Sequence, residues 1–173
     1  MRALSEEDTE SVLLIRPVSE KDAAAISGIY NHYVENTAVS FETEMVSAYE
    51  MQQRIKELSS AYPYYVLEED GEVIGYAYVH QWKERAAYSR TVEATVYLHK
   101  DHCGRKLAGL LMRKVIDGCR ECGVHAIIAC ITSVNTASLR FFESLGFKKV
   151  SQFPEVGYKF GRWYGVIDCE LLI

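Results

Sequence analysis

Apolar residues recur at helical spacing in several parts of the chain. They do so over residues 23–34 and 107–119, and the first of these stretches follows a capping-box pattern at Ser19–Asp22. A second capping box at Ser47–Glu50 predicts a helix to about Leu58, and a further helix is expected at about 135–145. The hydrophobic pattern therefore predicts four helices.

Runs rich in β-branched and aromatic residues separate these helices. Asp70-Gly71 joins two of the runs as a tight hairpin turn, and residues 126–131 are apolar throughout, as expected of a strand buried on both faces. The order of elements predicts an α/β (α+β) domain with a mostly antiparallel sheet flanked by helices. The predicted strands cover residues 13–16, 64–67, 73–79, 91–99, 126–131, 147–153 and 166–172.

Length and charge narrow the possible functions. With 173 residues and 49% apolar composition, residues 13–173 are expected to form a single domain, preceded by a disordered extension at residues 1–12. The net charge of −5 disfavours nucleic acid as a partner and favours a small or cationic one. The sequence has no apolar run long enough to cross a membrane and no signal-peptide core, so we expect a cytoplasmic protein.

The cysteines and histidines do not form a recognisable metal motif. The five cysteines are an odd number, which predicts reduced thiols rather than a disulfide framework. Cys119 and Cys122 form a C-x-x-C pair, but only His125 follows it, so small helical residues are favoured over a zinc or redox site. We expect no metal.

A loop between a predicted strand and a predicted helix carries the first chemical signal. Gly104, Ala108 and Gly109 are small, and the helix beginning here would present free amide groups to an anion such as pyrophosphate. Arg105 and Lys106 add positive charge at the same place. The alternative is that the glycines merely form a turn, and the P-loop pattern is absent.

This loop resembles the coenzyme A loop of the GNAT acetyltransferases, Gln/Arg-x-x-Gly-x-Gly/Ala. Ala108 agrees with that pattern, whereas Cys103 replaces the Gln or Arg and Lys106 replaces the central Gly. Residues 135–147, which end in Leu-Gly-Phe, resemble the helix-to-strand signature of the same family. From Ile15 to the C-terminus the chain is similar to the phosphinothricin and methionine-sulfone acetyltransferases, through residues 29–41, 82–93 and 157–163.

The resemblance implies the GNAT fold, a homodimer, and acetyl transfer from acetyl-coenzyme A to the amino group of a small amino-acid-like substrate. Phosphinothricin, methionine sulfone and methionine sulfoximine are examples of such substrates. A strand bulge is expected to free the amides that hold the pantetheine arm. The implied cofactor-binding residues are Val96, Tyr97, Leu98, Cys103, Gly104, Arg105, Lys106, Leu107, Ala108, Gly109, Asn135 and Ser138.

Glu93 is the candidate catalytic residue. In an alternating strand it shares a face with Thr95 and Tyr97, and a carboxylate among aromatic rings has the raised pKa that a general base requires. The resemblance implies the same role. The alternative is a solvated residue or an ion-pair partner.

Four residues are implied to bind the acceptor. Arg85 would hold a carboxylate, while Phe41, Tyr88 and Trp163 would form the walls of the site. Phe160 is expected in the core instead.

Phe142 leaves two other functions open. It occupies the position where many relatives have a proton donor, and it cannot donate, so the protonation of the departing thiolate is unassigned. The first alternative is acetylation of a cationic amine or a protein N-terminus, which the acidic net charge favours rather than Phe142. The second is a coenzyme A-binding sensor module with weak activity, which the lysine at position 106 also favours.

Overall fold

The computed structural model describes residues 11–173. Of the predicted extension, residues 1–10 therefore lie outside the described part of the chain. Ser11 Oγ donates a hydrogen bond to Glu69 Oε1 at 2.9 Å, and the Val12 amide donates to Asp70 Oδ1 at 2.9 Å. These two residues lead directly into the first strand.

Residues 11–173 contain four α-helices, at the predicted places. The Ser19 capping box opens a short 3-10 turn that continues into the first helix, and Ser47 Oγ accepts from the Glu50 amide at 3.1 Å. Capping satisfies amide groups that a helix terminus leaves free, which is why these sequence patterns locate the starts well. The helices are α1 (Ala23–Asn36), α2 (Ala48–Ser59), α3 (Leu107–Glu121) and α4 (Thr136–Ser144).

In the described part of the chain, seven strands form one sheet in the order β1-β2-β3-β4-β5-β7-β6. Every neighbouring pair is antiparallel except β4 and β5, which confirms the predicted fold class. The strands are β1 (Leu13–Pro17), β2 (Tyr64–Glu69), β3 (Glu72–Gln81), β4 (Thr91–Leu98), β5 (Ala126–Thr132), β6 (Lys148–Lys159) and β7 (Arg162–Leu172).

The last two strands are longer than predicted, because they meet at a tight turn formed by Phe160 and Gly161. Both residues have positive φ, 51° and 74°, as do Asp70 and Gly71 in the β2–β3 turn, at 52° and 88°. This conformation is usual for Asp and Gly but costly for Phe, so sequence rules do not find the second turn. Phe160 is 58% exposed, and its expected place in the core is wrong.

Two hydrophobic clusters cover opposite faces of the sheet. Along β2 and β3 successive residues alternate between them: Val66 and Tyr76 belong to the cluster beneath α1 and α2, and Leu67 and Ala77 to the cluster beneath α3 and α4. The sheet is thus held in place from both sides.

The sheet splits between β4 and β5. Their parallel pairing covers only Thr91–Glu93 against Ala126–Ile128, after which β5 continues against β7 and the two strands diverge. The later residues of β4 therefore pair with β3 alone. The predicted bulge is wrong, since β4 follows β3 in one continuous register, and divergence rather than a bulge frees one edge of residues 94–98.

Candidate active site

A large cleft of about 700 Å³ lies at this split. Its volume is within the range of small-molecule sites. The free edge of β4, the loop before α3 and the first turns of α4 form its walls. Every predicted cofactor residue except Arg105 lines it, namely Val96, Tyr97, Leu98, Cys103, Gly104, Lys106, Leu107, Ala108, Gly109, Asn135 and Ser138.

Two residues with left-handed backbone shape the loop before α3. Gly104 has φ +81°, and Lys106, the N-cap of α3, has φ 61° and ψ 13°. The GNAT pattern has its central Gly where this chain has Lys106. A left-handed backbone explains that glycine, and Lys106 adopts the conformation despite its side chain. Gly104 and residues 106–109 line the cleft, so the start of α3 borders it, and the free amides and partial positive charge of a helix start would stabilise an anion there.

Arg105 does not line the cleft. Its guanidinium binds the carboxylate of Glu69, with Nη1 at 2.7 Å from Oε2, and His102 Nδ1 lies 3.0 Å from the same oxygen. The hydrogen bonds from Arg105 lower the pKa of Glu69 to about 2. Arg105 therefore connects the loop to the β2–β3 hairpin, and its expected position beside the cofactor is corrected.

The sequence analysis missed one cation in the large cleft. Arg113 lies one helical turn after Gly109 on α3 and contributes to the lining. Helical periodicity from Gly109 would have found it. Asn135 has two roles, because its side chain caps α4 by accepting from the Ser138 amide at 3.1 Å and also faces the cleft.

A smaller cavity of about 220 Å³, which we call the Glu93 cavity, lies beside the large cleft. Glu93, Thr95, Cys130 and Phe142 are among the residues around it. The two spaces are adjacent, because they share the lining residues Val39, Val96, Tyr97, Asn135 and Ser138, and we refer to them together as the passage.

Glu93 is half-buried in this cavity, with 28% of its side chain exposed. Burial raises the pKa of its carboxyl group, the positive charge of a protonated His80 lowers it, and the negative charge of Asp168 raises it again. His80 Nε2 lies 3.8 Å from Glu93 Oε1. A half-buried carboxylate with a raised pKa at the end of a passage has the properties of a general base.

Comparison with known proteins identifies the family. Residues 15–167 match the profile described as the Acetyltransferase (GNAT) domain. The chain belongs to the GNAT acetyltransferase family. It is therefore an acetyltransferase, and members of this family use acetyl-coenzyme A.

Three proteins illustrate the similarity of this GNAT chain to its relatives. It is 43% identical to an L-amino acid N-acyltransferase of Escherichia coli, over 91% of this chain and 92% of the relative. It is 41% identical to an L-methionine sulfoximine/L-methionine sulfone acetyltransferase of Salmonella typhimurium, over 92% and 94%. A phosphinothricin acetyltransferase from Sinorhizobium meliloti, solved in complex with acetyl-coenzyme A, superposes with a TM-score of 0.89 at 29% identity, over 93% and 88%.

The loop between α1 and α2 carries Phe41 into the Glu93 cavity of this acetyltransferase. Two buried side chains hold that loop: Thr132 Oγ1 donates to the Ala38 carbonyl at 2.8 Å, and Lys159 Nζ donates to the Ser40 carbonyl at 2.8 Å. The ring of Phe41 lies against Gly157 in β6, where a side chain would collide with it. Contacts from β5 and β6 thus hold the backbone of the loop that carries Phe41.

The other predicted acceptor residues do not line the Glu93 cavity. Arg85 and Tyr88 face a separate cleft of about 420 Å³ together with Lys83 and Glu84. Trp163 is 56% exposed and packs against Tyr158. The connection that carries Arg85 nevertheless begins two residues after His80, which pairs with Glu93, so it lies at the same end of the sheet.

Several residues of the Glu93 cavity were not predicted. Cys130 and Thr132 on β5 lie in an apolar run that gives no functional signal, and their place depends on the split of the sheet. Phe142 is buried, with 3% exposure, and also lines the cavity. Only the tertiary fold brings these residues to Glu93.

Neither a metal centre nor a membrane helix is found in the described part of the chain. No three or more His, Cys, Asp or Glu side chains within residues 11–173 are grouped to hold a metal ion. None of the helices described is sufficiently long and apolar to span a bilayer. All five cysteines are described, and each is a free thiol.

Proposed function

We propose that this acetyltransferase acts on the amino group of a small amino acid or amino-acid analogue of the methionine sulfone, methionine sulfoximine or phosphinothricin type. The observation that carries the proposal is the pair of adjacent spaces, one lined by the start of α3 and the other by the half-buried carboxylate of Glu93. The substrates named for the relatives at 43% and 41% identity support the acceptor class.

Acetyl-coenzyme A would lie along this passage. The pyrophosphate would lie on the amides of residues 104–109, with Lys106 and Arg113 supplying positive charge. The pantetheine arm has amide groups that would bond to the free edge of β4, in the manner of an added strand. This placement brings the thioester to the end of the passage where Glu93 lies.

Glu93 would act as a general base. An acceptor ammonium entering the cavity gives one proton to the carboxylate, and the neutral amine then attacks the thioester carbonyl. As the C–N bond forms and the C–S bond breaks, the attacking nitrogen loses its second proton and the departing thiolate takes up one proton, so coenzyme A leaves as the thiol. The raised pKa of Glu93 makes the carboxylate a stronger base, which suits this proton transfer.

The acceptor would be held by the residues around the mouth of the cavity. Phe41 forms one wall, and Arg85 would bind the acceptor's carboxylate with the aromatic rings of Tyr88 and Trp163 beside it. The exposed position of Arg85 requires either that the substrate reach outwards or that the 82–90 connection fold over the mouth.

A homodimer remains part of the proposal. The edge strand β6 and the turn that follows it expose several large apolar side chains, and such a patch favours a protein interface. Light scattering of the purified protein would measure the assembly directly. The exposed residues are Val150, Phe153, Val156, Tyr158, Phe160 and Trp163.

One observation favours a second acceptor class. Arg85 lies outside the Glu93 cavity, whereas Asp168 is near enough to raise the pKa of Glu93, so a second carboxylate acts on this cavity together with the neighbouring His80. An acidic site would favour a cationic amine or a peptide N-terminus over a free amino acid.

A panel of amines tests the proposal, with coenzyme A release as the signal. Methionine sulfone, methionine sulfoximine and phosphinothricin are compared with a diamine and an alanine-terminated peptide, and N-acetyl-methionine sulfone is the matched control without a free amine. We expect the highest kcat/KM for the amino-acid analogues and none for the control. A preference for the diamine or peptide would support the second class, and no release above the enzyme-free rate would leave a sensor module.

A further inference from the structure

His80 and Glu93 are direct neighbours across two strands. They form a register pair between β3 and β4, and both side chains lie on the same face of the sheet. The distance from His80 Nε2 to Glu93 Oε1 is 3.8 Å, which is within ion-pair range and longer than a hydrogen bond. One bridging water or a small rotation of the histidine would close that gap.

The backbone defines which nitrogen of His80 carries the proton. Nδ1 lies 2.8 Å from the carbonyl oxygen of Gln81. A carbonyl oxygen can only accept, so Nδ1 must donate, and in the neutral ring Nε2 then has a free lone pair. That lone pair is on the nitrogen nearest Glu93. His80 is therefore arranged to accept a proton from the carboxyl group.

His80 also has access to water. Its side chain is 35% exposed, against 28% for Glu93. An imidazole is the side chain that exchanges protons with water most readily near neutral pH. The pair thus joins a half-buried carboxylate to a more exposed imidazole.

We propose that His80 carries the proton from Glu93 to solvent after each acetyl transfer. The inference rests on the proposed role of Glu93 as the base. The acceptor ammonium gives a proton to the Glu93 carboxylate, the resulting carboxyl O–H gives that proton to His80 Nε2, and the imidazolium releases one proton to water. Glu93 then begins the next cycle ionised.

The other titratable groups around Glu93 are less suited to this step. Burial raises the pKa of the Cys130 thiol to about 12 and also raises the pKa of the Tyr78 phenol, so both keep their own protons at neutral pH. Asp168 lies two strands away on β7 and accepts a hydrogen bond from Ser151 at 2.7 Å.

The charged groups on the neighbouring loops have other contacts. Glu42 is paired with Arg54 at 2.6 Å, while Lys83, Glu84 and Arg85 line their own cleft. None of these other groups, all within residues 11–173, offers the two features of His80, which are a free ring nitrogen and an exposed route to water.

The pH profile of His80→Ala tests the relay. We expect kcat at neutral pH to fall about 10-fold, less than the ~10²–10⁴-fold expected on removing the base itself. The acidic limb of kcat/KM should move to higher pH, because the imidazolium no longer favours the ionised carboxylate. Added imidazole should restore part of the rate. His125→Ala is the control. His125 is exposed and lines neither the large cleft nor the Glu93 cavity, so this variant should leave the kinetics unchanged.

A double-mutant cycle separates this inference from the proposed function. If His80 acts through Glu93, the Glu93→Gln/His80→Ala protein should be no slower than Glu93→Gln alone. If the rate losses of the two single variants multiply in the double variant, the relay is overturned. A pH profile of His80→Ala that does not shift, with no rescue by imidazole, would also overturn it. A Glu93→Gln protein with normal activity would instead overturn the proposed base. His80→Gln provides a second variant, and an unchanged thermal shift with acetyl-coenzyme A shows that either variant is folded.

Discussion

The contact between Gly157 and Phe41 provides a direct test of the acceptor wall. A Cβ added at Gly157 would lie 2.7 Å from Phe41 Cδ2 and closer still to Cε2 and Cζ. Carbon atoms pack at about 3.5–4.0 Å, so the ring must retreat by about 1 Å or more. Because Phe41 is 37% exposed, it can rotate away rather than force the strand apart.

Gly157→Ala should therefore affect catalysis as well as folding. We expect a loss of stability of about 1–3 kcal/mol from overpacking. Displacing a wall of the acceptor site by about 1 Å should lower kcat/KM for methionine sulfone by roughly 10–100-fold. Acetyl-coenzyme A should raise the melting temperature as it does in the wild type, since Phe41 does not line the large cleft.

Two controls complete the assay, which is steady-state kinetics combined with thermal unfolding. Gly71→Ala places a side chain in open space at φ +88°, so it should cost about 1 kcal/mol in stability without changing kcat/KM. In a Phe41→Ala background, Gly157→Ala should have no further kinetic effect. A folded Gly157→Ala protein with wild-type kcat/KM would refute the assignment of Phe41 to the acceptor site.

Three further predictions follow from the loop before α3, the 82–90 connection and the burial of Glu93. Lys106→Gly should be more stable than Lys106→Ala by about 1 kcal/mol in urea unfolding. Both variants remove the charge, but only glycine relieves the strain of φ 61° at this position. Equal stabilities would contradict this. Arg85→Ala should raise KM for methionine sulfone without changing acetyl-coenzyme A affinity, and an unaltered KM would reassign Arg85 to the surface. Folding raises the pKa of the Glu93 carboxyl group above its value in the unfolded chain. The free energy of unfolding therefore falls as the pH rises through and above the unfolded-state pKa, where the carboxylate becomes ionised. Glu93→Gln should therefore raise the melting temperature at neutral pH, with the gain disappearing below about pH 4; no difference between the two pH values would contradict this reasoning.

Local patterns predicted the parts of the molecule that local physics determines. The capping boxes at Ser19 and Ser47 mark helix starts because the capping bonds span only three residues. The small residues of the 104–109 loop likewise indicate its backbone turn. The alternation in β4 correctly placed Glu93 on the same face as Thr95 and Tyr97, since strand geometry has a period of two.

Features that depend on distant partners could not be predicted in this way. Arg105 binds Glu69, which is 36 residues away, and no local pattern reveals that competition for its charge. The split between β4 and β5 is a matter of strand pairing, so the position of Cys130 in the cavity follows from the fold rather than from its neighbours. The turn at Phe160 was not predicted because this residue has a backbone conformation that phenylalanine disfavours.

The pH dependence of kcat/KM for Glu93→Gln, measured with methionine sulfone at saturating acetyl-coenzyme A, tests the central claim most directly. The substitution keeps the shape of the side chain and removes its basicity. The account predicts a rate loss of roughly 10²–10⁴-fold at neutral pH, with partial recovery at high pH where more of the acceptor amine is already free. Near-normal kcat/KM with the same acidic limb as the wild type would contradict it and would mean that solvent deprotonates the amine.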